Sequence, residues 1–157
     1  MVATRTVETV EELKGLVGQE LGVGQWVEIS QEQVNNFADI TGDHQWIHVD
    51  PARAAKTQFR GTIAHGFLTL SLLPLLGRDR EGIKVDLHSK MGLNYGLNRV
   101  RFVSPVRVGK RIRMRTKLLS VDEVGENVYQ MTYQQTVEIE GEERPAMVAE
   151  TIGRAYL

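Results

Sequence analysis

Within residues 38–51, ADITGDHQWIHVDP, Asp43 and His48 stand five positions apart, with a glycine, a second histidine, an amide and two further aspartates around them. A carboxylate and an imidazole that converge in a cleft can hold a water between them. They can then move its protons at near-neutral pH, which is general acid–base catalysis. Two other readings compete. The polar side chains of such a loop can serve only their own backbone. Alternatively, His44 and His48, at an i,i+4 spacing with Asp43 and Asp50 nearby, can be read as metal ligands. Gly42 and Pro51 bracket the segment as non-helical, and the acid–base Glu of the H-E-x-x-H pattern is missing, so the metal signal is weak. Trp46 and Ile47 read as apolar anchors of the loop.

The second feature is GTIAHGF at 61–67, which puts Gly66 at the start of an apolar segment. The first N–H groups of a helix have no intrahelical acceptor and carry the positive end of its dipole. They can stabilise negative charge on a carbonyl oxygen, and glycine lets that oxygen come close. A glycine near a helix start is commonplace; beside Asp43 and His48 it supplies the electrophilic component they lack. The third feature is basic: from Leu87 to Val121 there are nine Lys or Arg and no Asp or Glu. This reads as the solvated face of alternating strands, or as an electrostatic landing place for a polyphosphate such as coenzyme A.

These residues need a scaffold. Thr9 with Glu12 has the form of a capping box opening a short helix through Leu13, Leu16 and Val17. GQWVEIS (24–30) reads as a first strand. Ser30 with Gln33 caps the next helix, which carries Val34, Phe37 and Ala38 at helical spacing and stops at Gly42. Asp50-Pro51 restarts a helix. HGFLTLSLLPLLG (65–77) is apolar nearly all round, the pattern of a helix buried on every side, with Pro74 expected to kink or end it. Residues 77–91 are polar and mixed and read as a surface excursion. From residue 92 the period becomes two: Ile112, Met114 and Leu118 alternate with Arg111, Arg113, Arg115 and Lys117, and Tyr129, Met131, Tyr133, Val137 and Ile139 share one parity. Gly125 and Gly141 fall at turns. The expected architecture is α+β, a curved antiparallel sheet wrapped around one apolar helix, in a single domain over 1–157.

Composition narrows the class. Of 157 residues, 41% are hydrophobic and 25% charged, and the net charge is −1, so bulk charge favours neither nucleic acid nor membrane. The acidic remainder and 6% aromatics also count against nucleic acid. The absence of cysteine removes thiolate nucleophiles, thiolate metal sites and disulfides. With no secretory leader pattern at 1–15 and no apolar run long enough to span a bilayer, the expected location is the cytoplasm.

With ADITGDHQWIHVDP and TIAHGFLTLSLLP together, the sequence resembles the MaoC-like hydratases of the hot-dog fold, whose motif A-D-x-T-G-D-x-N-P-x-H-x-D precedes an apolar helix opening with A-H-G. The wording TGDHQWIHVD looks closest to the nodulation protein N-like branch, and the likeness runs on through NYGLNRVRFVSPVRVG (94–109). The resemblance implies reversible hydration of trans-2-enoyl-CoA to (R)-3-hydroxyacyl-CoA. Asp43 would be the catalytic carboxylate, His48 its partner, and Gly66 the N–H donor to the thioester carbonyl. No metal or further cofactor is implied, coenzyme A being part of the substrate. Gln45-Trp46 departs from the family's Asn-Pro; Gln45 keeps an amide that can orient the water, and Trp46 changes the loop's bulk. That pair and residues 77–91 are expected to set acyl-chain preference. The resemblance also implies a homodimer joined at sheet edges. Two rivals stand beside it. An acyl-CoA thioesterase would often use a carboxylate on or facing the central helix, and 65–77 has no Asp or Glu. In a non-catalytic acyl-CoA binder, Asp43 and His48 would only structure the loop.

Overall fold

The computed structural model describes residues 5–157. Two capping boxes open the early helices as their sequences require. Thr9 Oγ1 accepts from Glu12 N–H while the Glu12 carboxylate accepts from Thr9 N–H, starting α1 (Val10–Lys14). Ser30 and Gln33 exchange the same pair of bonds at α2 (Gln31–Thr41). Gly42 ends α2 with φ 78°, a left-handed conformation that glycine adopts without steric cost. Asp50 caps α4 (Pro51–Ala54) by accepting from Arg53 N–H, and the short α3 (Trp46–Val49) lies between.

The strands are β1 (Arg5–Val7), β2 (Glu20–Val23), β3 (Val27–Glu28), β4 (Glu81–Val85), β5 (Met91–Phe102), β6 (Arg111–Gly125), β7 (Val128–Ile139) and β8 (Met147–Tyr156). They form one sheet in the order β1-β4-β2-β6-β7-β8-β5, with β3 also on β6. Pairing is antiparallel throughout, save between β1 and β4. The period of two decides which face is buried: Ile112, Met114, Thr116 and Leu118 of β6 point inward, as do Met131, Gln135, Val137 and Ile139 of β7. Against this face lies the apolar segment, as α5 (Gly66–Ser71) and α6 (Leu73–Leu76). Leu68 and Leu76 join Ile112, Met114, Val137 and Met147 in one core, and a second core gathers Leu13 and Leu16 with Leu118, Met131 and Ala155. The sheet-around-helix arrangement expected from the sequence is the one observed.

Three local expectations differ from the structure. The segment 65–77 is not buried on every side: Phe67 is 69% exposed, and Ser71 and Pro74 face outward. The helix does break at Leu72, as expected, because Pro74 has no N–H for the carbonyl of Leu70. The strand expected over 24–30 shrinks to Val27–Glu28, and Glu20–Val23 pairs ahead of it. Residues 77–91 are no mere excursion, since β4 bonds to both β1 and β2. Close approach is possible there because a Cβ at Gly82 would lie 2.4 Å from Leu21 O. Four of the nine cations in the basic run are paired with carboxylates: Arg113 and Arg115 share Glu138 at 2.6 and 2.5 Å, Arg111 binds Glu140, and Lys110 lies 3.7 Å from Glu142. Its stretch from Lys110 to Arg115 is therefore a paired solvent face, not a free cationic landing place.

Candidate active site

The end of α2 delivers the chain into the site. After Gly42, Asp43 Oδ1 accepts from Gln45 N–H at 3.3 Å, which turns the loop so that Gln45 starts α3. This turn carries His48 inward; it is 6% exposed. Its Nδ1 lies 2.7 Å from Ile63 O. A carbonyl only accepts, so Nδ1 carries the hydrogen and, in the neutral ring, the lone pair is on Nε2. Burial lowers the pKa of His48 and outweighs the opposing bond to Ile63, which keeps the ring neutral. Gln31, the first residue of α2, reaches across to donate to His48 O at 2.7 Å and also accepts from Thr62 Oγ1. The ring is thus held through Nδ1 and its backbone through the carbonyl.

A second histidine completes the cluster. His65, the residue before α5, stacks on His48 with ring centroids 3.8 Å apart. Its Nε2 donates to Asp43 O at 2.9 Å and lies 4.0 Å from Asp43 Oδ2. One ligand-type atom from each of Asp43, His48 and His65 falls within 4.8 Å of the others, a spacing from which the three could also hold a metal ion. The His44–His48 pair considered from the sequence is not brought together. His44 is exposed and its Nε2 bonds Asp39 at 2.7 Å, an attachment that raises its pKa.

His48 and Gly66 line one cavity of about 320 Å³, walled by Phe59, Thr69, Phe102 and Pro105. Among the described residues neither Gly66 N–H nor Phe67 N–H has an acceptor, whereas Leu68 and Thr69 already bond to His65 O. A Cβ at Gly66 would lie 2.8 Å from the Phe102 ring, so glycine is what lets that ring cover the helix start. Asp43 is not part of this cavity's wall; its side chain is 54% exposed, and a carboxylate oxygen lies within 4.8 Å of a ring nitrogen of His48 and of His65. Gln45 is exposed and its side-chain amide bonds to nothing described, so the structure leaves it outside the cavity. Trp46 is half-buried under the Arg53 guanidinium, 4.2 Å away, and Ile47 O accepts from Ile63 N–H, so it is the Ile47 backbone that ties the loop down. His65 and Gln31 were not singled out by sequence reasoning. The A-H-G wording held the signal for His65, but only its glycine was given a role.

The described residues contain no helix long and apolar enough to cross a membrane. Residues 12–139 match the model of the MaoC-like domain. The chain is 51% identical over 150 residues to 3-hydroxyacyl-thioester dehydratase Z of Mycobacterium tuberculosis, covering 96% of this chain and 97% of that one. It is 50% identical over 137 residues to nodulation protein N of Rhizobium leguminosarum bv. viciae, covering 87% and 84%. Among solved structures, the (R)-hydratase of A. caviae superposes with a TM-score of 0.66 at 27% identity, over 87% of this chain and 94% of that one. The family and branch resemblance read from the two motifs is borne out, and so is the hot-dog fold. This chain belongs to the MaoC-like family of hydratases and dehydratases.

Proposed function

We propose that the protein catalyses the reversible (R)-specific hydration of trans-2-enoyl-CoA thioesters, with Asp43 and His48 as the acid–base pair and Gly66 N–H as the oxyanion donor. The observation that carries this reading is one cavity lined by both Gly66, whose N–H has no acceptor among the described residues, and His48, whose neutral ring is anchored through Nδ1. The thioester carbonyl accepts from Gly66 N–H, which places C3 of the enoyl group beside the pair. A water held between His48 Nε2 and the Asp43 carboxylate forms the new C–O bond at C3 and gives up a proton to the pair. The C2–C3 π electrons move toward the carbonyl oxygen, whose negative charge the N–H stabilises. A proton from the same face then closes C2, so hydrogen and hydroxyl add syn. No cofactor beyond the substrate's coenzyme A is called for.

The unpaired edge of β5 supports a homodimer. Met91, Leu93, Tyr95 and Leu97 on this outermost strand are 46–57% exposed, and a second copy joined there would cover them. The reading is tested with crotonyl-CoA by following the enoyl-thioester absorbance and free thiol together. Hydration removes the absorbance without releasing thiol. Thiol release would make the protein a thioesterase, and binding without either change would make it an acyl-CoA binder.

A further inference from the structure

The inward face of the sheet is not uniformly apolar. Between its two cores runs a polar belt in which Thr116 Oγ1 donates to Gln135 Oε1 at 2.8 Å and Gln135 Nε2 donates to Thr151 Oγ1 at 3.4 Å. Tyr133 lies beside it, opposite Thr151 in the ladder. Two cavities meet along this belt and share Asn94, Tyr133, Gln135 and Gly153. The first, about 570 Å³, runs beside the central helix and is walled by Leu70, Leu73, Pro74, Leu97 and Ile152. The second, about 470 Å³, continues to Arg80 and Arg154. No Asp or Glu lines either cavity.

Arg80 is out of place by ordinary rules. A partly buried guanidinium is normally paired with a carboxylate, because desolvating an unpaired charge is costly. The one bond of Arg80 runs from its guanidinium to Ile83 O at 2.7 Å, and no carboxylate within ion-pair distance of it is found among the described residues. Burial accordingly pulls its pKa below the usual value. The stem crosses β2 at Gly22, where a Cβ would lie 2.0 Å from Glu81 O and 2.8 Å from Arg80 Cγ, so glycine there admits both the β4 backbone and the Arg80 stem. Arg154 is no second cation for the belt: its guanidinium is taken up by the Tyr95 ring at 3.5 Å and by Gln130, on the face of β7 opposite Met131 and Gln135. The Arg–Glu pairs on the outer face of β6 and β7 show how this protein handles guanidinium groups that are structural.

We infer that these joined cavities receive the far end of the acyl chain and select one that ends in an anionic group, a carboxylate, seated on Arg80. The apolar stem would follow α5 from Gly66 past Leu70 and then α6 to Pro74. The inference rests on the thioester reading above and adds a substrate class to it.

The test compares matched medium-chain trans-2-enoyl-CoA thioesters ending in methyl or in carboxylate, on the wild type and on Arg80→Gln and Arg80→Lys. The wild type is expected to favour the carboxylate-ended member by about 10- to 100-fold in kcat/KM, the range of one charge-assisted hydrogen bond. Arg80→Gln should collapse that ratio toward one, and Arg80→Lys should keep part of it. A variant that merely folds poorly would lower both rates and leave the ratio standing. Calorimetry with saturated thioesters of the two kinds gives the same comparison without turnover. If crotonyl-CoA is inert yet Arg80 still determines tighter binding of the carboxylate-ended thioester, the hydratase reading falls and the pocket stands. Equal affinity for the two ends, or Arg80-dependent binding of inorganic phosphate with no preference between chain ends, would overturn the pocket.

Discussion

Replacing Gly66 by Ala asks the site and the fold separate questions. An added Cβ would lie 2.8 Å from Cγ and Cδ2 of Phe102 and 3.0 Å from Cδ1. Ordinary carbon contacts lie near 3.5–4.0 Å, so the ring must retreat by roughly 0.7–1.2 Å. Phe102 is 46% exposed and lies on the outermost strand, so it can swing toward solvent with little loss of packing. Alanine is the better helix former by about 0.5–1 kcal/mol, which offsets that movement. The net change in stability should stay within about 1 kcal/mol, or roughly 2–4 °C in Tm for a chain of this size. Activity should respond on another scale. The methyl group and the displaced ring crowd the space in which a thioester oxygen would meet the N–H, and loss of one such donor costs about 100- to 1,000-fold in kcat. Initial rates of crotonyl-CoA hydration, read beside thermal melts, provide the assay. Gly66→Ala with a near-native melt and a rate within about threefold of wild type would refute the oxyanion role, since threefold is well under 1 kcal/mol. Adding Phe102→Ala separates the two obstructions: if the displaced ring alone is at fault, the double variant recovers.

Three further outcomes follow from the same geometry. Asp43→Asn retains an oxygen for the Gln45 N–H and so should keep the loop, while activity falls by about 100- to 10,000-fold; crotonyl-CoA rates with an unchanged melt check this. The pH profile of kcat/KM should lose its acid limb below the ordinary histidine value of 6.5, because burial lowers the pKa of His48 and its neutral form is the active one. The same shift sets the sign for stability: above 6.5 the ring is neutral whether folded or not, and as pH falls the unfolded chain takes up the proton first. The stabilisation is therefore lost toward the lower folded pKa, and melts should show Tm falling over that window. Ser30→Ala removes the N-cap acceptor of α2 and should cost about 1 kcal/mol by denaturant titration. It should also lower activity, because Gln31 in that first turn holds His48 O.

What could be read directly from the chain was short in range. Ser30 with Gln33, Gly42, and Asp50 with Pro51 each complete their signal within one helical turn, and all three sit in the structure as read. The alternation of Ile112, Met114 and Leu118 is likewise complete within one strand. What escaped depends on register between distant segments. His65 acquires its role by stacking on His48, 17 positions earlier, and Gln31 acquires its role by reaching the same residue from 17 positions before it. Arg111, Arg113 and Arg115 of the basic run looked unneutralised because their partners Glu138 and Glu140 arrive only when β7 folds back on β6. Arg80 is the converse case. In sequence it stands between Asp79 and Glu81 and looks as well compensated as any surface cation. Neither neighbour lines the cavity that Arg80 lines, so the fold separates the charges that the sequence sets side by side. A run of like charges along a chain is thus weak evidence for an anion site, because strand pairing can cancel it. A guanidinium left without a carboxylate after every strand has been paired is the stronger evidence.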